Sequence, residues 1–543
     1  MTERPPVVLD YGVFQQPLSP LFLDYLGGRN GVERFLGSAR WDLEALSEAS
    51  DRALTRERPR EAVAAALVRQ QESRGAAQAA ARAAELGEPG TVALVTGQQA
   101  GLFGGPLYVL YKALGARKAA RLLQARRGRS VVPVFWVASD DHDFAEVRSA
   151  TVLDESGQIR TLRYSPPREP VAQPASQIVL DATVAALVQE LRGCLPEGLH
   201  RDEVIARLGE CYRPGETLAG AFARFLSALL PDIVVLDPSD PALKALMAPL
   251  LAREIQEGSP TSRLALETGA ALLAAGYHQQ VPVRPGFLNL FVVMEGERRA
   301  LGIQNGTVEV RGLGRRMPVE EALRLLNAAP KDWSPGVLLR PLAQDHLLPT
   351  AGYVGGPAEI AYHAQIGPAY AHFGIPRPLL LPRPSLTLVE PAQARALEAE
   401  GLRLTDLEGD PEGLVTRWVR AAHPQVEAAF ARVRDALLRE MASVEEALAT
   451  VDPTLRAAAN AARGRALHQI ETLHEKSTRA LKKRDQSRAE RLRRTRDALF
   501  PGGSFQERGL ALVSALARHG QALVEETERG LDPWARGHQV IQL

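Results

Sequence analysis

Short runs of consecutive apolar residues alternate with helix-periodic stretches through the first 390 residues of the chain. Residues 91–96 and 131–138 are rich in β-branched side chains, as strands buried on both faces are. The amphipathic stretch 106–127 between them predicts a helix with a proline in its first turn. Strand, helix and strand in so short a span form a βαβ unit, which predicts a parallel sheet. Because proline cannot donate to a β-ladder, Pro133 is expected at the start of its strand or at a sheet edge.

The same alternation continues through the middle of the chain. Two stretches richer in proline, glycine and polar residues, 155–180 and 305–335, look like parts of peripheral inserts. The remaining periodic segments predict helices at 31–85, 181–193, 216–230 and 240–256, and strands at 233–236, 288–294, 300–304 and 351–354.

The pattern changes after Pro391. Apolar residues from Val426 to Val451 recur every three or four positions, as in a coiled-coil seam, and Asp452-Pro453 interrupts them before a second run towards Leu499. This predicts two long helices folded back as an antiparallel hairpin. Such a hairpin buries only one seam by itself, so a hairpin from a second subunit would complete it. The alternative is that the hairpin packs on the core of its own chain. The apolar positions of 540–543 could return to the core as a last strand.

Composition excludes several classes of protein. The 543 residues are 45% hydrophobic and 24% charged, which is ordinary for a folded chain that needs no disulfides or metals to be stable. The formal net charge of +1 excludes a global attraction to nucleic acids or acidic membranes. Segment 476–496 is locally basic but lacks interleaved aromatic residues for base stacking. It therefore favours a solvated helix face or a phosphate-facing strip over a nucleic-acid site.

Cysteine content and the N-terminal region bear on the compartment. Cys194 and Cys211 have no metal-like pairing nearby, and free thiols are typical of a reducing compartment. Residues 1–15 carry no signal-peptide pattern, and no apolar run reaches 18 residues. We therefore expect a cytoplasmic protein that does not span a membrane.

The first candidate site is the glycine-rich turn at 96–106 (TGQQAGLFGGP), which lies between the first strand and its helix. Glycines allow backbone N–H groups to approach a ligand, and the helix N-terminus behind them favours a phosphate or a carboxylate. The pattern is neither a Walker A motif nor a GxGxxG fingerprint, and it could also be only a tight strand–helix turn. The candidate cofactor-binding residues are Gly97, Gln98, Gln99, Gly101, Gly104 and Gly105.

The second candidate site is the acidic segment 139–144 (SDDHDF), which follows the next strand. Both sites should share the carboxyl edge of a parallel sheet, where ligands bind in open α/β folds. Asp141, His142 and Asp143, with Glu146 close behind, could bind Mg²⁺, recognise a substrate ammonium, or let His142 act as a general acid or base. A zinc site is disfavoured because no second His or Cys lies at ligand spacing. The alternative is a solvated polar turn.

The third candidate site is segment 352–362 (GYVGGPAEIAY), another strand, Gly-Gly-Pro turn and helix. Glu359 and Tyr362 are three residues apart and share a helix face. Segment 340–345 before it offers a cation and an amide, and a further predicted strand end follows it. The candidate substrate-binding residues are Glu146, Gly355, Gly356, Glu359, Tyr362, Arg383 and Ser385.

These motifs together resemble a known family, the cysteine-adding enzymes of bacillithiol biosynthesis (BshC). The resemblance rests on TGQQAG from Thr96 with Lys112, on DHDF from Asp141 with Glu146, and on YVGGPAEIAY from Tyr353. Pro382-Arg383 with Ser385, and the later LFP and QER motifs, extend it over nearly the whole chain in the right order. One departure is Asp140, because many relatives carry glutamate at this position; the shorter acid reaches less far.

The resemblance implies a fold and a domain organisation. It implies a Rossmann-like core related to class I aminoacyl-tRNA synthetases and nucleotidyltransferases, with connecting inserts and a coiled coil that dimerises. Together with the patterns above, we predict an α/β protein with a Rossmann-like parallel-sheet core at 1–390 and a long antiparallel α-helical coiled-coil arm at 391–500. The inserts are predicted at about 155–232 and 256–335, and 501–543 is predicted to return to the core.

The reaction that the resemblance implies joins L-cysteine to the amine of glucosaminyl-malate. A free carboxylate does not condense readily with an amine in water, so it must be activated by adenylation or phosphorylation. ATP or ADP with Mg²⁺ is therefore the expected cofactor, although no specific metal site is predicted. We hypothesise that Asp141, His142 and Asp143 hold the substrate ammonium or a Mg²⁺, that His142 accepts the proton of the attacking amine, and that Arg383 faces the malate carboxylates.

Two other classes of function remain open at this stage. A metal-dependent hydrolase could use the Asp141-His142-Asp143 cluster without ATP. A coiled-coil adaptor with a nucleotide-binding core would depend on 424–497 and tolerate changes at Asp141 or His142. The expected partners are small molecules and a second copy of the chain, with no nucleic acid and no membrane.

Overall fold

The computed structural model describes residues 6–543, so the first five residues of the N-terminal stretch considered above lie outside the described part. The chain divides into two compact units. Unit 1 contains the chain up to Val389 together with Phe505–Leu543, and unit 2 is Glu390–Ser504. The predicted boundaries after residues 390 and 500 lie close to these divisions.

Within residues 6–543, the strands form four sheets, all of them in unit 1. In chain order they are β1 (Val7–Leu9), β2 (Val92–Gln98), β3 (Val131–Val137), β4 (Ser149–Leu153), β5 (Ile159–Arg163), β6 (Val234–Leu236), β7 (Phe287–Met294), β8 (Glu297–Gln304), β9 (Thr307–Val310), β10 (Arg315–Pro318), β11 (Trp333–Pro335), β12 (Thr350–Gly355), β13 (Leu379–Pro382), β14 (Ser385–Val389) and β15 (His538–Gln542).

Helices account for most of the remaining regular structure. Those of unit 1 are α1 (Pro20–Gly27), α2 (Glu33–Leu36), α3 (Leu43–Ala53), α4 (Arg60–Ser73), α5 (Ala77–Glu85), α6 (Tyr108–Arg127), α7 (Phe144–Val147), α8 (Thr183–Cys194), α9 (Leu199–Cys211), α10 (Leu218–Leu229), α11 (Pro241–Gln256), α12 (Pro260–Ala274), α13 (Val319–Ala328), α14 (Arg340–Leu347), α15 (Pro357–Gln365) and α16 (Gly367–Phe373). Those of unit 2 are α17 (Pro391–Ala399), α18 (Pro411–Ala422), α19 (Pro424–Val451), α20 (Leu455–Arg484) and α21 (Gln486–Leu499). Unit 1 ends with α22 (Gln506–Gly509), α23 (Leu512–His519) and α24 (Ala522–Gly530).

The central sheet of unit 1 is parallel and has the order β13-β12-β2-β3-β6. Every residue of β3, and every residue of β2 except Gln98, is buried, as expected for strands covered on both faces. Helix α6 connects β2 to β3 and packs against both. The predicted α/β fold with a Rossmann-like parallel-sheet core is therefore confirmed.

Pro133 lies neither at the start of its strand nor at a sheet edge, so the expectation based on its missing N–H is wrong. It is the third residue of β3, which lies inside the sheet between β2 and β6, and it pairs in register with Leu94. The ladder of β3 with β6 begins only at Val134. The sheet is therefore still open on that side at Pro133, which explains how an interior strand tolerates a proline there.

Both predicted insert regions contain secondary structure outside the central sheet. Helices α8, α9 and α10 lie within 155–232. Strands β7 to β11 form an antiparallel five-stranded sheet of order β10-β9-β8-β7-β11 within 256–335. The second region brings its own residues to the candidate site described below.

The C-terminal segment returns to unit 1, as its apolar pattern predicts. Strand β15 lies between β1 and β14, antiparallel to the first and parallel to the second. His538 at the start of β15 is fully buried. The last residues of the chain therefore complete a sheet next to Ser385.

Unit 2 contains the predicted hairpin. Helices α19 and α20 pack against each other across the break at Asp452-Pro453, and the Phe430 and His474 rings stack between them. The second run is not one helix to Leu499, because it breaks at Asp485, whose carboxylate contacts His423 Nε2 at 2.7 Å.

The hairpin buries little of its apolar surface. No residue of α19 is buried, and Val433 and Val451 are 52% and 77% exposed. Many basic side chains of 476–496 pair with acids inside unit 2. Glu412, for example, contacts Lys482 at 3.1 Å and Arg493 at 2.7 Å. These pairs support the interpretation of that segment as a solvated, ion-paired helix face.

Within the part of the chain that the structure describes, no helix is both long and apolar enough to cross a membrane. Cys194 and Cys211 are both free thiols.

Candidate active site

A cavity of about 670 Å³ lies at the carboxyl ends of β2, β3 and β12. Its volume is in the range of small-molecule sites, and its position is where open α/β sheets bind ligands. All the residues that line it belong to unit 1. The candidate residues that line it are Gly97, Gln98, Gln99, Asp141, His142, Glu146, Gly356, Glu359, Tyr362 and Arg383. The candidate residues that do not line it are Gly101, Gly104, Gly105, Asp143, Gly355 and Ser385.

An acidic face joins the first two sequence motifs. The amide Nε2 of Gln99 donates to Asp141 Oδ2 at 2.7 Å and to Glu146 Oε2 at 2.9 Å. The other oxygen of Asp141 accepts the backbone N–H of His142 at 2.7 Å. The glutamine thus holds two carboxylates side by side, and their remaining acceptor capacity suits a substrate ammonium.

The two flanking aspartates have structural partners. Asp143 is exposed and caps the short helix α7 by accepting the backbone N–H of Glu146 at 3.2 Å. Asp140 accepts from Lys244 Nζ through both oxygens at 2.7 Å, and Lys244 also donates to Trp333 O. Lys244 is 1% exposed, so Asp140 is the counter-charge of a buried amine.

His142 is held by an arginine from the antiparallel insert. Arg298 on β8 donates from Nη1 to His142 Nδ1 at 3.1 Å. Its other donors contact Ser334 Oγ at 3.0 Å and Pro335 O at 3.1 Å, and the guanidinium lies 3.7 Å from the centroid of the Phe291 ring. Burial and the charge of Arg298 lower the pKa of His142, although Asp141 and Asp143 oppose the shift. The ring is therefore neutral at physiological pH.

The hydrogen bond from Arg298 argues against the hypothesis that His142 accepts the proton of the substrate amine. A guanidinium only donates hydrogen bonds, so Nδ1 must supply its lone pair to Arg298. A neutral imidazole has one such lone pair, and its proton is then on Nε2. In this arrangement His142 has no free lone pair with which to accept a proton from the amine.

The glycine turn is shaped by packing rather than by an open cradle of N–H groups. A Cβ on Gly101 would lie 2.8 Å from the Cα of Gly105, and one on Gly104 would lie 2.8 Å from the Phe225 ring. The Gly104 N–H donates to Tyr212 OH at 3.1 Å, and the Gly105 N–H donates to Leu102 O at 3.1 Å. The geometry therefore does not fit Gly101, Gly104 and Gly105 as a phosphate cradle, and it favours the alternative of a tight strand–helix turn.

A buried lysine holds the start of the turn, at Gly97 and Gln98. Lys112 on α6 is 2% exposed and donates to Gly97 O at 2.7 Å and to Gln98 Oε1 at 2.8 Å. The same Nζ forms an ion pair with Glu359. Lys112 thus links the end of β2 to the start of α15, and with them the first and third motifs.

Glu359 is the centre of a charged network on the cavity wall. One oxygen accepts from Tyr353 OH at 2.5 Å and the other from the backbone N–H of Gly356 at 2.8 Å. Burial by itself would raise the pKa of Glu359, but the charge and hydrogen bond of Lys112 outweigh burial and hold that pKa below its usual value. Glu359 is therefore an ionised structural acid rather than a proton donor.

Arg298 and Arg340 on the wall have no carboxylate partner within ion-pair distance among the described residues. Arg340 donates to Tyr362 OH at 2.8 Å and to Gln344 Oε1 at 3.2 Å. Arg298 donates hydrogen bonds to His142 and to two neutral oxygens, and it lies over the Phe291 ring. Guanidinium groups in a cavity with no carboxylate within ion-pair distance favour an anionic ligand.

Arg383, in contrast, is neutralised inside the protein. Its Nη2 donates to Glu507 Oε1 at 2.5 Å, and burial leaves it 7% exposed. Ser385 Oγ donates to the same oxygen at 3.0 Å and contacts His538 Nδ1 at 2.8 Å, away from the cavity lining. Arg383 still borders the cavity, but its charge is balanced by Glu507.

The fit of the expected nucleotide and Mg²⁺ depends on the side chains available to bind them. The described residues contain no group of three or more His, Cys, Asp or Glu side chains that could hold a metal ion. Anionic groups of a nucleotide or of a substrate fit Arg298 and Arg340 better than they fit Gly101, Gly104 and Gly105.

Sequence reasoning did not select Arg298 or Lys112 as site residues, and it noted Arg340 only as a nearby cation. Arg298 lies 156 residues from His142, inside an insert with no recognisable motif. Lys112 was visible only through the family resemblance. No local pattern could have pointed to Arg298, because its role depends on how the insert packs over the sheet edge.

Comparisons with known proteins agree with the motif order. The family model "Bacillithiol biosynthesis BshC, N-terminal Rossmann-like domain" matches residues 10–384, and the model for the C-terminal coiled-coil domain of the same family matches residues 386–543.

Three curated relatives are described as cysteine ligases of the BshC type. The Salinibacter ruber protein is 33% identical over 96% of this chain and 96% of its own length. The Koribacter versatilis protein is 34% identical over 93% and 94%, and the Chlorobaculum tepidum protein is 33% identical over 89% and 89%. A solved chain titled as an arginyl-tRNA synthetase from Campylobacter jejuni matches at 10% identity. It covers 82% of this chain and 93% of that chain, but its TM-score of 0.20 carries no argument about fold or function.

Two family models cover almost the whole chain, and relatives above 30% identity match it nearly end to end. The chain therefore belongs to the bacillithiol biosynthesis BshC family.

Proposed function

We propose that this protein forms the amide bond between L-cysteine and the amine of glucosaminyl-malate, the last step of bacillithiol biosynthesis. The observation that carries the proposal is one cavity whose lining contains both the Asp141–Glu146 pair and two arginines, Arg298 and Arg340, that have no carboxylate within ion-pair distance among the described residues. Cysteine brings an ammonium and a carboxylate, and glucosaminyl-malate brings an amine and two carboxylates. One cavity with both kinds of partner suits this pair of substrates.

Family membership supports the coarser part of this assignment directly. The protein is a ligase with a role in bacillithiol biosynthesis, as its relatives' descriptions agree. The identity of the amine substrate is the finer step of the proposal.

The acidic face is assigned to the substrate amines. Asp141 and Glu146 accept from the substrate ammonium while Gln99 fixes their separation. Arg340 and Tyr362 are assigned to the malate carboxylates, because Arg340 has no carboxylate within ion-pair distance among the described residues. This places the malate group on Arg340 rather than on Arg383.

The reaction requires an activated cysteine carboxylate. A bound nucleotide would supply the phosphoryl or adenylyl group that activates it. In the amide-forming step, the amine nitrogen bonds to the acyl carbon and the bond to the phosphate or AMP leaving group breaks. The proton lost from nitrogen passes to the Asp141–Glu146 pair, which lines the cavity.

The coiled-coil hairpin is assigned to homodimerisation. Its α19 helix buries no residue within the described chain and leaves apolar positions such as Val433 and Val444 exposed. A second copy of the hairpin has the same apolar positions, so it can cover them symmetrically.

The test is incubation with L-cysteine, glucosaminyl-malate and ATP·Mg²⁺, followed by mass spectrometry of thiols and nucleotides. Amide product with AMP indicates an acyl-adenylate, and amide product with ADP indicates an acyl phosphate. The matched control replaces glucosaminyl-malate with glucosamine, which lacks the dicarboxylate. Equal rates with both amines, or no amide with either, would contradict the proposed substrate.

A further inference from the structure

We propose that Arg298 fixes His142 as the neutral Nε2–H tautomer, and that this N–H donates a hydrogen bond to an anionic oxygen of the bound acid substrate. The substrate assignment rests on the proposed function. The tautomer rests only on the geometry of the two side chains.

The first step of the argument is the immobility of Arg298. The residue is 8% exposed, and Ser334, Pro335 and the Phe291 ring hold its guanidinium on three sides. It is therefore a fixed donor rather than a mobile surface charge. Burial lowers the pKa of Arg298, opposed by Asp140 and Asp141, yet an arginine remains protonated at any physiological pH.

The second step is the fate of the two ring nitrogens. Nδ1 accepts from Arg298 at 3.1 Å, so the ring proton must lie on Nε2. Nε2 has no hydrogen-bond partner within residues 6–543, and His142 lines the cavity. Nε2 is thus an unused donor on a side chain that lines the cavity.

The third step is the electrostatic environment of the ring. The charged groups that face it are Arg298, Asp141, with Oδ1 3.9 Å from Nδ1, and Asp143, which is exposed. Protonating the ring would place a second proton on Nδ1 against the guanidinium. The ring therefore stays neutral to a lower pH than a free histidine, and it offers one N–H rather than a mobile proton.

A neutral N–H donor has a specific use in acyl transfer. It stabilises negative charge that develops on an oxygen of the substrate without entering the proton balance, as oxyanion-hole donors do. His142 would act on the carboxyl-derived or phosphoryl oxygen of the activated acid. Arg298 is then a positioning residue, because it acts through His142.

The decisive measurement is ¹⁵N NMR of the full-length protein labelled on histidine, with the ring signals of His142 identified by their loss in His142→Gln. We expect an unprotonated Nδ1 and a protonated Nε2 at neutral pH, and a mixture of tautomers in Arg298→Leu. A protonated Nδ1 in the wild-type protein would overturn the tautomer assignment, whatever the substrate is.

Activity measurements on His142 variants distinguish a hydrogen-bond donor from a general base. The amide of glutamine can replace Nε2–H as a donor but cannot accept the amine's proton. We expect kcat to fall roughly 10²-fold in His142→Ala and to recover to within about 10-fold of wild type in His142→Gln. His142→Gln as inactive as His142→Ala would contradict the donor role. His200→Gln, at an exposed position outside the cavity lining, is the matched control and should behave as wild type.

The two levels of failure are distinguishable. If the wild-type protein forms no amide from cysteine and glucosaminyl-malate, the proposed function fails, while the NMR result still decides the tautomer. If amide forms but the NMR finds Nδ1 protonated, the proposed function stands and the role of Arg298 is wrong.

Discussion

Arg340 and Arg383 both border the cavity, but the different partners of the two side chains give them different roles. Arg383 is paired with Glu507 at 2.5 Å, while Arg340 contacts only neutral oxygens. A cation that is already paired gains little from a second anion, because its charge is largely compensated. At the residue scale, the positive charge that the site can offer to a ligand is therefore smaller than the number of its arginines indicates.

The Lys112–Glu359 pair gives a stability prediction at this scale. Lys112→Met should lower the free energy of unfolding by about 3 kcal/mol, because it removes the counter-charge of the buried Glu359 carboxylate and the ammonium donor to Gly97 O. Chemical denaturation followed by fluorescence measures the change.

The matched control for that pair is the double variant Lys112→Met with Glu359→Gln. Removing both charges should restore part of the lost stability, because no uncompensated carboxylate remains. A double variant that is less stable than the sum of the two single changes would contradict the assigned pairing.

At the element scale, β15 closes its sheet with a histidine that cannot readily be protonated. His538 Nδ1 contacts Ser385 Oγ at 2.8 Å and Nε2 contacts Thr387 Oγ1 at 2.7 Å. Burial lowers the pKa of His538 to about 4; Glu507 opposes this shift and Arg383 adds to it. The packing of the C-terminal strand therefore depends on a neutral ring.

This lowered pKa predicts the pH dependence of stability. Between about pH 4 and 6.5, the unfolded chain binds a proton at His538 that the folded chain does not, so stability is complete above that window and falls as the pH drops through it. The contribution of this one group is about 3 kcal/mol.

The measurement is the free energy of unfolding at several pH values for wild type and His538→Gln. The variant should lose less stability between pH 6.5 and pH 4 than wild type does. His346, whose burial also lowers its pKa to about 4, remains in both proteins and keeps part of the slope. Identical slopes in both proteins would count against the contribution of His538, and exposed His200→Gln should leave the slope unchanged.

At the scale of the whole molecule, the cavity lies entirely in unit 1, while α19, with its exposed apolar positions, lies in unit 2. We expect Val433→Glu with Val444→Glu to convert a dimer into a monomer, because the charges replace exposed apolar side chains of the seam. Light scattering coupled to size-exclusion chromatography measures the mass, and circular dichroism checks that the helices persist.

The matched control is Arg432→Glu with Ser443→Glu, which adds the same carboxylates at neighbouring exposed positions. The control should remain dimeric. Because no cavity residue comes from unit 2, the monomeric variant should keep its kcat for amide formation within about threefold. A control variant that is also monomeric would argue against the hairpin seam as the interface. A wild-type protein that is itself monomeric would argue against it as well.

Much of the fold follows from local pattern. The β-branched runs at β2 and β3, the helical period of α6 and the Asp452-Pro453 break place these elements within a few residues of their observed ends. The position of the Gln99 and Asp141 motifs at one sheet edge also follows, because consecutive parallel strands bring their carboxyl ends together.

The sequence by itself determined the core strands β2 and β3, helix α6, the hairpin and the motifs at the sheet edge, since each depends on residue types repeated over short distances. Only the tertiary structure decided which charges are compensated and which face the cavity. Glu507 neutralises Arg383 from 124 residues away, and Arg298 reaches His142 from 156 residues away. Such pairs depend on how separate elements pack, and a periodic pattern contains no information about a partner that distant.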